Sequence, residues 1–73
     1  MTLKDLSIGA KATVTAVTGN NAATRRLMEM GVVPGVTVKM VKAAPFGDPI
    51  EIRVRGYSLA MRKSEAASIE VSE

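Results

Sequence analysis

The chain has 73 residues with a formal net charge of +3, and 47% of its residues are hydrophobic. This length gives room for one domain with one small core, so residues 1–73 are treated as a single globular domain. Cysteine and histidine are both absent, which excludes disulfides and the usual ligands of zinc or of tightly held ferrous iron.

The N-terminal residues predict a covering segment followed by a first strand. The apolar Leu3, Leu6 and Ile8 precede a glycine and are expected to lie across one end of a barrel. Residues 11–18 then alternate small or β-branched apolar side chains with lysine and threonine. This alternation is typical of a half-buried strand.

A short amphipathic helix is predicted next, over residues 22–30. Asn20 or Asn21 can cap it, because an asparagine side-chain oxygen accepts a hydrogen bond from a free amide of the first turn. The helix is expected to end at Gly31, since glycine enters the left-handed conformation without a Cβ penalty. Its buried face should consist of the apolar residues at helical spacing, Ala23, Leu27 and Met30.

Three more strands are predicted after a turn at Pro34-Gly35, because apolar and polar residues alternate in each. Their inward-facing residues are expected to be Val36, Val38 and Met40, then Ile50, Ile52 and Val54, then Tyr57, Leu59 and Met61. Parity predicts a hairpin in which Val54 opposes Tyr57, Ile52 opposes Leu59 and Ile50 opposes Met61. A tight turn at Arg55-Gly56 satisfies this register, although arginine is not the residue that such a turn prefers.

The C-terminal residues predict one helical turn and a last strand. Residues 64–67 form the turn, with Ser64 as its cap. Ile69 and Val71 then alternate with polar residues as the fifth strand. The expected fold is therefore mainly β, with five strands, one short helix in the first long loop and a helical turn before the last strand.

Five short motifs follow one another in a fixed order between residues 25 and 66, and the likeness that they carry extends over residues 6–71. They are residues 25–31 (RRLMEMG), 34–35 (PG), 44–49 (APFGDP), 55–62 (RGYSLAMR) and 64–66 (SEA). In this order they resemble the FeoA family, the small cytosolic partners of the bacterial ferrous-iron transporter FeoB. Each motif alone is weak, but the ordered combination is specific.

The resemblance implies a small SH3-like barrel, which the five predicted strands also match. It further implies an accessory protein of ferrous iron uptake that acts on the cytoplasmic part of FeoB. No apolar run approaches the roughly 20 residues of a membrane span, and no secretory h-region is present. We therefore expect a cytoplasmic monomer without direct membrane insertion, recruited to the inner face of the membrane through FeoB.

Five residues are candidates for contacting the partner. Arg25 and Arg26 lie on the polar side of the predicted helix, where each planar guanidinium group can bind a carboxylate through two parallel hydrogen bonds. Phe46, the sole phenylalanine, lies in a tight loop, where it either anchors a partner or plugs the core. Arg53 and Arg55, with Arg62 on the neighbouring strand, face outward and form a basic patch suited to an acidic surface, with Glu51 and Lys39 nearby. The alternative for the arginines is an ordinary solvated face.

The sequence shows no catalytic site, because it has no histidine or cysteine and no ordered pairing of a serine with a general base. We expect no enzyme activity, no cofactor and no tight metal site, and Asp48 and Glu51 would be the first carboxylates to test for metal. Two other functions stay open. One is a regulatory domain like the FeoA-like C-terminal domains of metal-dependent repressors. The other is a nucleic-acid-binding barrel, disfavoured because aromatics are 3% of residues and Tyr57 is predicted in the core.

Overall fold

Strands and helices follow one another along the chain in the predicted order. The computed structural model describes residues 1–73, and none of its helices is long and apolar enough to span a membrane. The elements are a 3₁₀ turn at Leu3–Asp5, strand β1 at Lys11–Val17, helix α1 at Ala22–Glu29, strand β2 at Thr37–Ala43, strand β3 at Ile50–Val54, strand β4 at Tyr57–Met61, helix α2 at Lys63–Ala66 and strand β5 at Ile69–Ser72. The five strands form one antiparallel sheet in the order β4-β3-β2-β1-β5.

The β3–β4 hairpin has the register that parity predicts. Val54 pairs with Tyr57 and Ile52 with Leu59, and the pairing continues to the far end of both strands. The two residues of the turn both have positive φ, 51° at Arg55 and 86° at Gly56. Positive φ at both central positions is the geometry of the tight hairpin turns whose twist matches the strands. The predicted turn is confirmed, with arginine in a conformation that few residues other than glycine adopt.

One cluster of 16 buried apolar residues forms the core. Alternating side chains of the strands supply most of it, and Leu3, Leu6, Leu27 and Ala66 close it from the N-terminal segment and the two helices. Val32 is also fully buried, which the sequence pattern did not indicate. Its amide donates to the Leu27 carbonyl at 3.0 Å, so the chain turns back along the end of α1 and places the Val32 side chain in the core.

Two residues predicted to be buried, Met30 and Tyr57, are exposed. Met30 is 37% exposed because α1 ends at Glu29, and Met30 lies in the C-cap position, outside the helical face. Thr24 near the start of α1 is buried, which the apolar spacing did not indicate, and its hydroxyl donates to the Asn21 side-chain oxygen at 3.0 Å. Tyr57 is 41% exposed at the turn end of the hairpin. Ile8 of the N-terminal segment is also exposed. The burial argument against nucleic acid binding therefore fails for Tyr57.

The residues that cap the two helices are Asn21 for α1, one of the two predicted, and Arg62 rather than Ser64 for α2. Asn21 caps α1, because its Oδ1 accepts from the Thr24 amide at 2.9 Å. Ser64 is not the cap of α2, since this helix begins one residue earlier and Arg62 holds the N-cap position. Arginine has no acceptor atom, so the carboxylate of Glu65 instead accepts from the Arg62 amide at 2.8 Å.

Asp5 gives the N-terminal 3₁₀ turn a dependence on pH. Its carboxylate accepts from the Thr2 amide at 3.1 Å and the Thr2 hydroxyl at 3.2 Å, and the bond from the backbone amide is the main cause that lowers the pKa of Asp5 below 3.8. Because the pKa of Asp5 is lower in the folded chain than in the unfolded chain, ionised Asp5 stabilises the fold at pH values above its unfolded pKa. This stabilisation is lost as the pH falls through the folded pKa. We expect an NMR titration to place the Asp5 midpoint below 3.8, and a midpoint at or above it would contradict the bonding. The Asp5→Asn variant should lose stability less steeply in acid.

Candidate partner-binding surface

All five candidate residues are exposed, and the structure brings some of them together. Arg55 lies at the tip of the β3–β4 hairpin, where its side chain and the Tyr57 hydroxyl approach Gly31. A Cβ placed on Gly31 would lie 3.1 Å from that hydroxyl and 3.5 Å from Cδ of Arg55. The helix that carries Arg25 and Arg26 therefore ends against the hairpin that carries Arg55. A guanidinium beside a helix C-terminus is favourable, because that end carries partial negative charge.

Arg53 belongs to a line of positive charge across three strands. It pairs with Lys39 of β2, and Lys39 pairs on its other side with Lys11 of β1. All three side chains are exposed. We call Lys11, Lys39 and Arg53 the basic row. Like charges directly opposite one another destabilise a sheet, so the row is not there for the stability of the isolated fold.

No carboxylate forms an ion pair with a residue of the basic row. The single ion pair of the chain joins Lys42 Nζ to Glu51 Oε1 at 3.8 Å, two pairs further along the same strands. The sequence indicated Arg53 but not its alignment with Lys11 and Lys39. Alternation shows which face of a strand a side chain occupies, whereas the alignment depends on which strands are neighbours and in what register.

Phe46 is 99% exposed, so the alternative in which it plugs the core is wrong. Its loop is held by two backbone hydrogen bonds, from the Gly47 amide to the Ala44 carbonyl at 2.6 Å and from the Ala44 amide to the Pro49 carbonyl at 2.9 Å. An aromatic ring on a closed, hydrogen-bonded loop loses little freedom when a partner covers it. The structure thus leaves Phe46 available as an anchor.

The two carboxylates considered for metal both have protein contacts. Asp48 Oδ1 accepts from the Lys63 amide at 3.0 Å, which ties the Phe46 loop to the start of α2. Glu51 pairs with Lys42 as described above. No group of three or more acidic, histidine or cysteine side chains lies close enough together to hold a metal ion.

Two depressions lie on the surface. A groove of about 340 Å³ lies beside the Phe46 loop and is lined largely by small and aliphatic residues, Ala43, Ala44, Pro45, Pro49, Ile50 and Ala60 among them. We call it the loop groove. A polar depression of about 460 Å³ lies between the start of α1 and α2, where Asn21 and Glu65 are already used as capping groups. None of the five candidate residues lines either depression, but the loop groove includes Pro45, the neighbour of Phe46 in the chain.

The sequence profile of the FeoA domain matches residues 1–73. The chain belongs to the FeoA domain family. A fusion protein of Porphyromonas gingivalis, described as Fe(2+) transport protein A/Fe(2+) transporter FeoB, is 38% identical over 71 residues. This alignment includes 97% of the present chain, which spans only 8% of the length of the fusion protein.

Two solved FeoA structures have the same fold. The FeoA protein of Chlorobium tepidum is 45% identical, with a TM-score of 0.91 over 97% of this chain and 68% of that one. FeoA of Stenotrophomonas maltophilia, complexed with zinc and described as a prokaryotic SH3 domain protein, is 38% identical, with a TM-score of 0.88 over 99% of this chain and 89% of that one. The SH3-like fold predicted from the five strands is confirmed.

A manganese-dependent transcriptional repressor contains a similar domain. Its TM-score is 0.88 over 99% of this chain, at 16% sequence identity and over 35% of the repressor's length. At this identity the likeness shows a shared fold alone.

Proposed function

We propose that this FeoA-family chain is a non-catalytic accessory of ferrous iron transport that binds the cytoplasmic region of a FeoB transporter. The observation that carries the proposal is the Porphyromonas gingivalis fusion, in which a related domain and FeoB are parts of one polypeptide. Domains joined in one chain act at a high effective concentration on one another. A separate FeoA chain would reach the same partner by binding it.

The proposed contact surface consists of the exposed arginines and the loop aromatic, Arg25, Arg26, Phe46, Arg53 and Arg55. Phe46 supplies an apolar anchor, since aromatic side chains buried at an interface carry much of its binding energy. The arginines supply charge complementary to carboxylates and favour fast association with an acidic surface. In this proposal the chain acts as a monomer in the cytoplasm and carries no chemistry of its own, in keeping with its lack of histidine and cysteine.

Two variants separate the anchor from the charges. We expect Phe46→Ala to raise the dissociation rate from the cytoplasmic region of FeoB roughly tenfold, because the variant removes a buried ring from the interface. We expect Arg53→Glu to slow association, most strongly at low salt, because steering by charge is screened by ions. Surface plasmon resonance at two salt concentrations measures both rates.

Matched controls make these rates specific to the surface. Ile8→Ala removes another exposed apolar side chain, and Lys4→Glu makes the same change of net charge at the N-terminal turn. Both controls should bind like the wild type. Unchanged kinetics in folded Phe46→Ala and Arg53→Glu variants would place the contact elsewhere on the domain. A wild-type chain that FeoB does not retain would overturn the proposed function.

A further inference from the structure

The two outer edges of the sheet differ. The edge of β5 is covered, because the Val71 amide donates to the Met1 carbonyl at 3.0 Å and Glu70 forms a bridge with Thr2. The edge of β4 pairs with no further strand. Proteins commonly protect such edges with charges, proline or bulges. Strand β4 has none of these, since its sequence is YSLAM and its pairing with β3 is regular.

Two residues of β4 present free backbone groups at this edge. Val54 and Tyr57 flank the two-residue turn, so each donates a backbone hydrogen bond to the other. Along an antiparallel pair, hydrogen-bonded residues alternate with residues whose N–H and C=O groups point away from the partner strand. Ser58 and Ala60 consequently direct theirs away from β3. Both residues are exposed, and no turn, loop or cap hydrogen bond uses their backbone groups. The edge is ready to pair with another strand.

The outward side chains around this edge indicate what such a strand would carry. Ser58 lies opposite Arg53, the end of the basic row, and its small side chain leaves the guanidinium room to extend past it. Neighbouring strands lie ~4.8 Å apart, so a side chain on an added strand beside Ser58 is two strands away from Arg53. An arginine spans that distance to a carboxylate. Ala60 lies opposite Glu51, whose carboxylate is paired with Lys42 at 3.8 Å. Ala60 also lines the loop groove beside Ala43 and Ile50, so this position suits an apolar side chain.

We propose that the β4 edge binds an extended segment of a partner protein as a sixth strand, with an acidic residue beside Ser58 and an apolar residue beside Ala60. The two partner residues are two positions apart, because side chains on one face of a strand recur with period two. Backbone hydrogen bonds supply affinity, and the basic row and the loop groove supply selectivity. This inference deepens the proposed function and rests on it for the origin of the partner.

A second copy of the chain is the weaker occupant. Antiparallel pairing of two β4 edges would bring Arg55, at one end of the strand, towards Arg62 and Lys63 at the other end of its counterpart. This repulsion would occur twice, once at each end of the paired strands. Like charges brought together at an interface suppress association, so charge favours an acidic partner over self-pairing.

Amide hydrogen exchange with a synthetic peptide tests the inference on the whole chain. The probe is an eight-residue peptide of alternating threonine and valine, with one glutamate and one leucine two positions apart. At saturating peptide we expect exchange at Ser58 and Ala60 to slow about tenfold or more, with the amides of β5 unchanged. A peptide with lysine in place of the glutamate should bind several-fold more weakly. Protection that is absent, or that lies outside β4, would overturn the inference.

Two substitutions at Ala60 provide a second measurement. Ala60→Pro removes the outward N–H, which an edge strand tolerates, and should weaken peptide binding about tenfold. Ala60→Ser retains the N–H and should bind like the wild type. Should the proline variant fail to fold, the exchange measurement on the wild type still decides. Protection of the same amides by self-association alone, seen in sedimentation without peptide, would assign the edge to a second copy and overturn the inference.

The outcomes separate this inference from the proposed function. FeoB retention without peptide protection at β4 would leave the accessory role standing and remove the sixth strand. Peptide protection without FeoB retention would keep the binding edge and remove FeoB as the source of the segment.

Discussion

Replacing Leu59 with alanine is expected to lower the free energy of unfolding by about 2–5 kcal/mol. Leu59 is 7% exposed and lies directly opposite the fully buried Ile52 in the β3–β4 pair. The substitution removes apolar atoms from a packed core and leaves a cavity that the surrounding sheet fills only in part. Urea denaturation of wild type and Leu59→Ala, followed by circular dichroism, measures the difference.

The size of the domain makes this loss severe. A single core in so short a chain supplies only about 3–5 kcal/mol of net stability, so a large share of Leu59→Ala molecules should be unfolded at 25 °C. Ser58→Ala is the matched control, since it alters the neighbouring exposed residue of the same strand and should change stability by less than about 0.5 kcal/mol. A Leu59→Ala thermal midpoint within a degree or two of wild type would contradict the packing of β4.

Gly31→Ala is expected to destabilise the fold by about 1–3 kcal/mol, mainly through the backbone. Gly31 ends α1 with φ of 104°, a conformation that residues with a Cβ rarely adopt. The added methyl group would also lie 3.1 Å from the Tyr57 hydroxyl, so the Tyr57 side chain would have to move by a few tenths of an ångström. Urea denaturation monitored through the fluorescence of Tyr57, the chain's one tyrosine, measures the loss of stability.

Gly35→Ala provides the comparison that separates the two causes. Gly35 has a similar φ of 97°, but a Cβ there meets nothing within 4 Å. Both variants should therefore show the backbone effect, and only Gly31→Ala should add a packing effect. Equal destabilisation would show that the helix end and the hairpin tip do not press on one another. Wild-type stability in Gly31→Ala would contradict the described helix end altogether.

Alternation of apolar residues was sufficient to predict the strands and the β3–β4 register. Parity fixes which residues of a hairpin share a face, so Ile52 and Leu59 could be paired from the sequence alone. Tyr57 shows where this reasoning ends. Tyr57 has the right parity to face the core, but it lies where the hairpin extends beyond the core. Only the packing of the whole domain determines where the core ends.

The path of the chain after α1 could not be predicted for a related reason. Met30 continues the helical spacing of Ala23 and Leu27, yet the helix stops one residue earlier. Val32 is carried inward by a hydrogen bond from its amide to Leu27. The residues that end a helix choose between conformations of similar local energy, so tertiary packing decides which of the apolar residues is buried.

The candidate surface was predicted residue by residue but not as an arrangement. The exposure of Arg25, Arg26 and Arg53 follows from helix and strand periodicity, whereas Phe46 lies in a loop and its exposure could not be decided from the sequence. The basic row depends on β1 lying beside β2 and β2 beside β3, and the register of β2 on β3 shifts between Met40 and Lys42. Single-strand patterns contain no information on neighbours or on such irregularities. The free edge of β4 likewise follows only from the strand order.

The basic row has a consequence for how salt acts on this domain. Lys11, Lys39 and Arg53 repel one another in the free chain, and dissolved ions screen that repulsion. Raising the ionic strength should therefore make the free domain harder to unfold while it weakens attraction to an acidic partner. A bound carboxylate relieves the same repulsion as salt does. Occupancy by the partner and resistance to unfolding are thus thermodynamically linked through three side chains on the sheet.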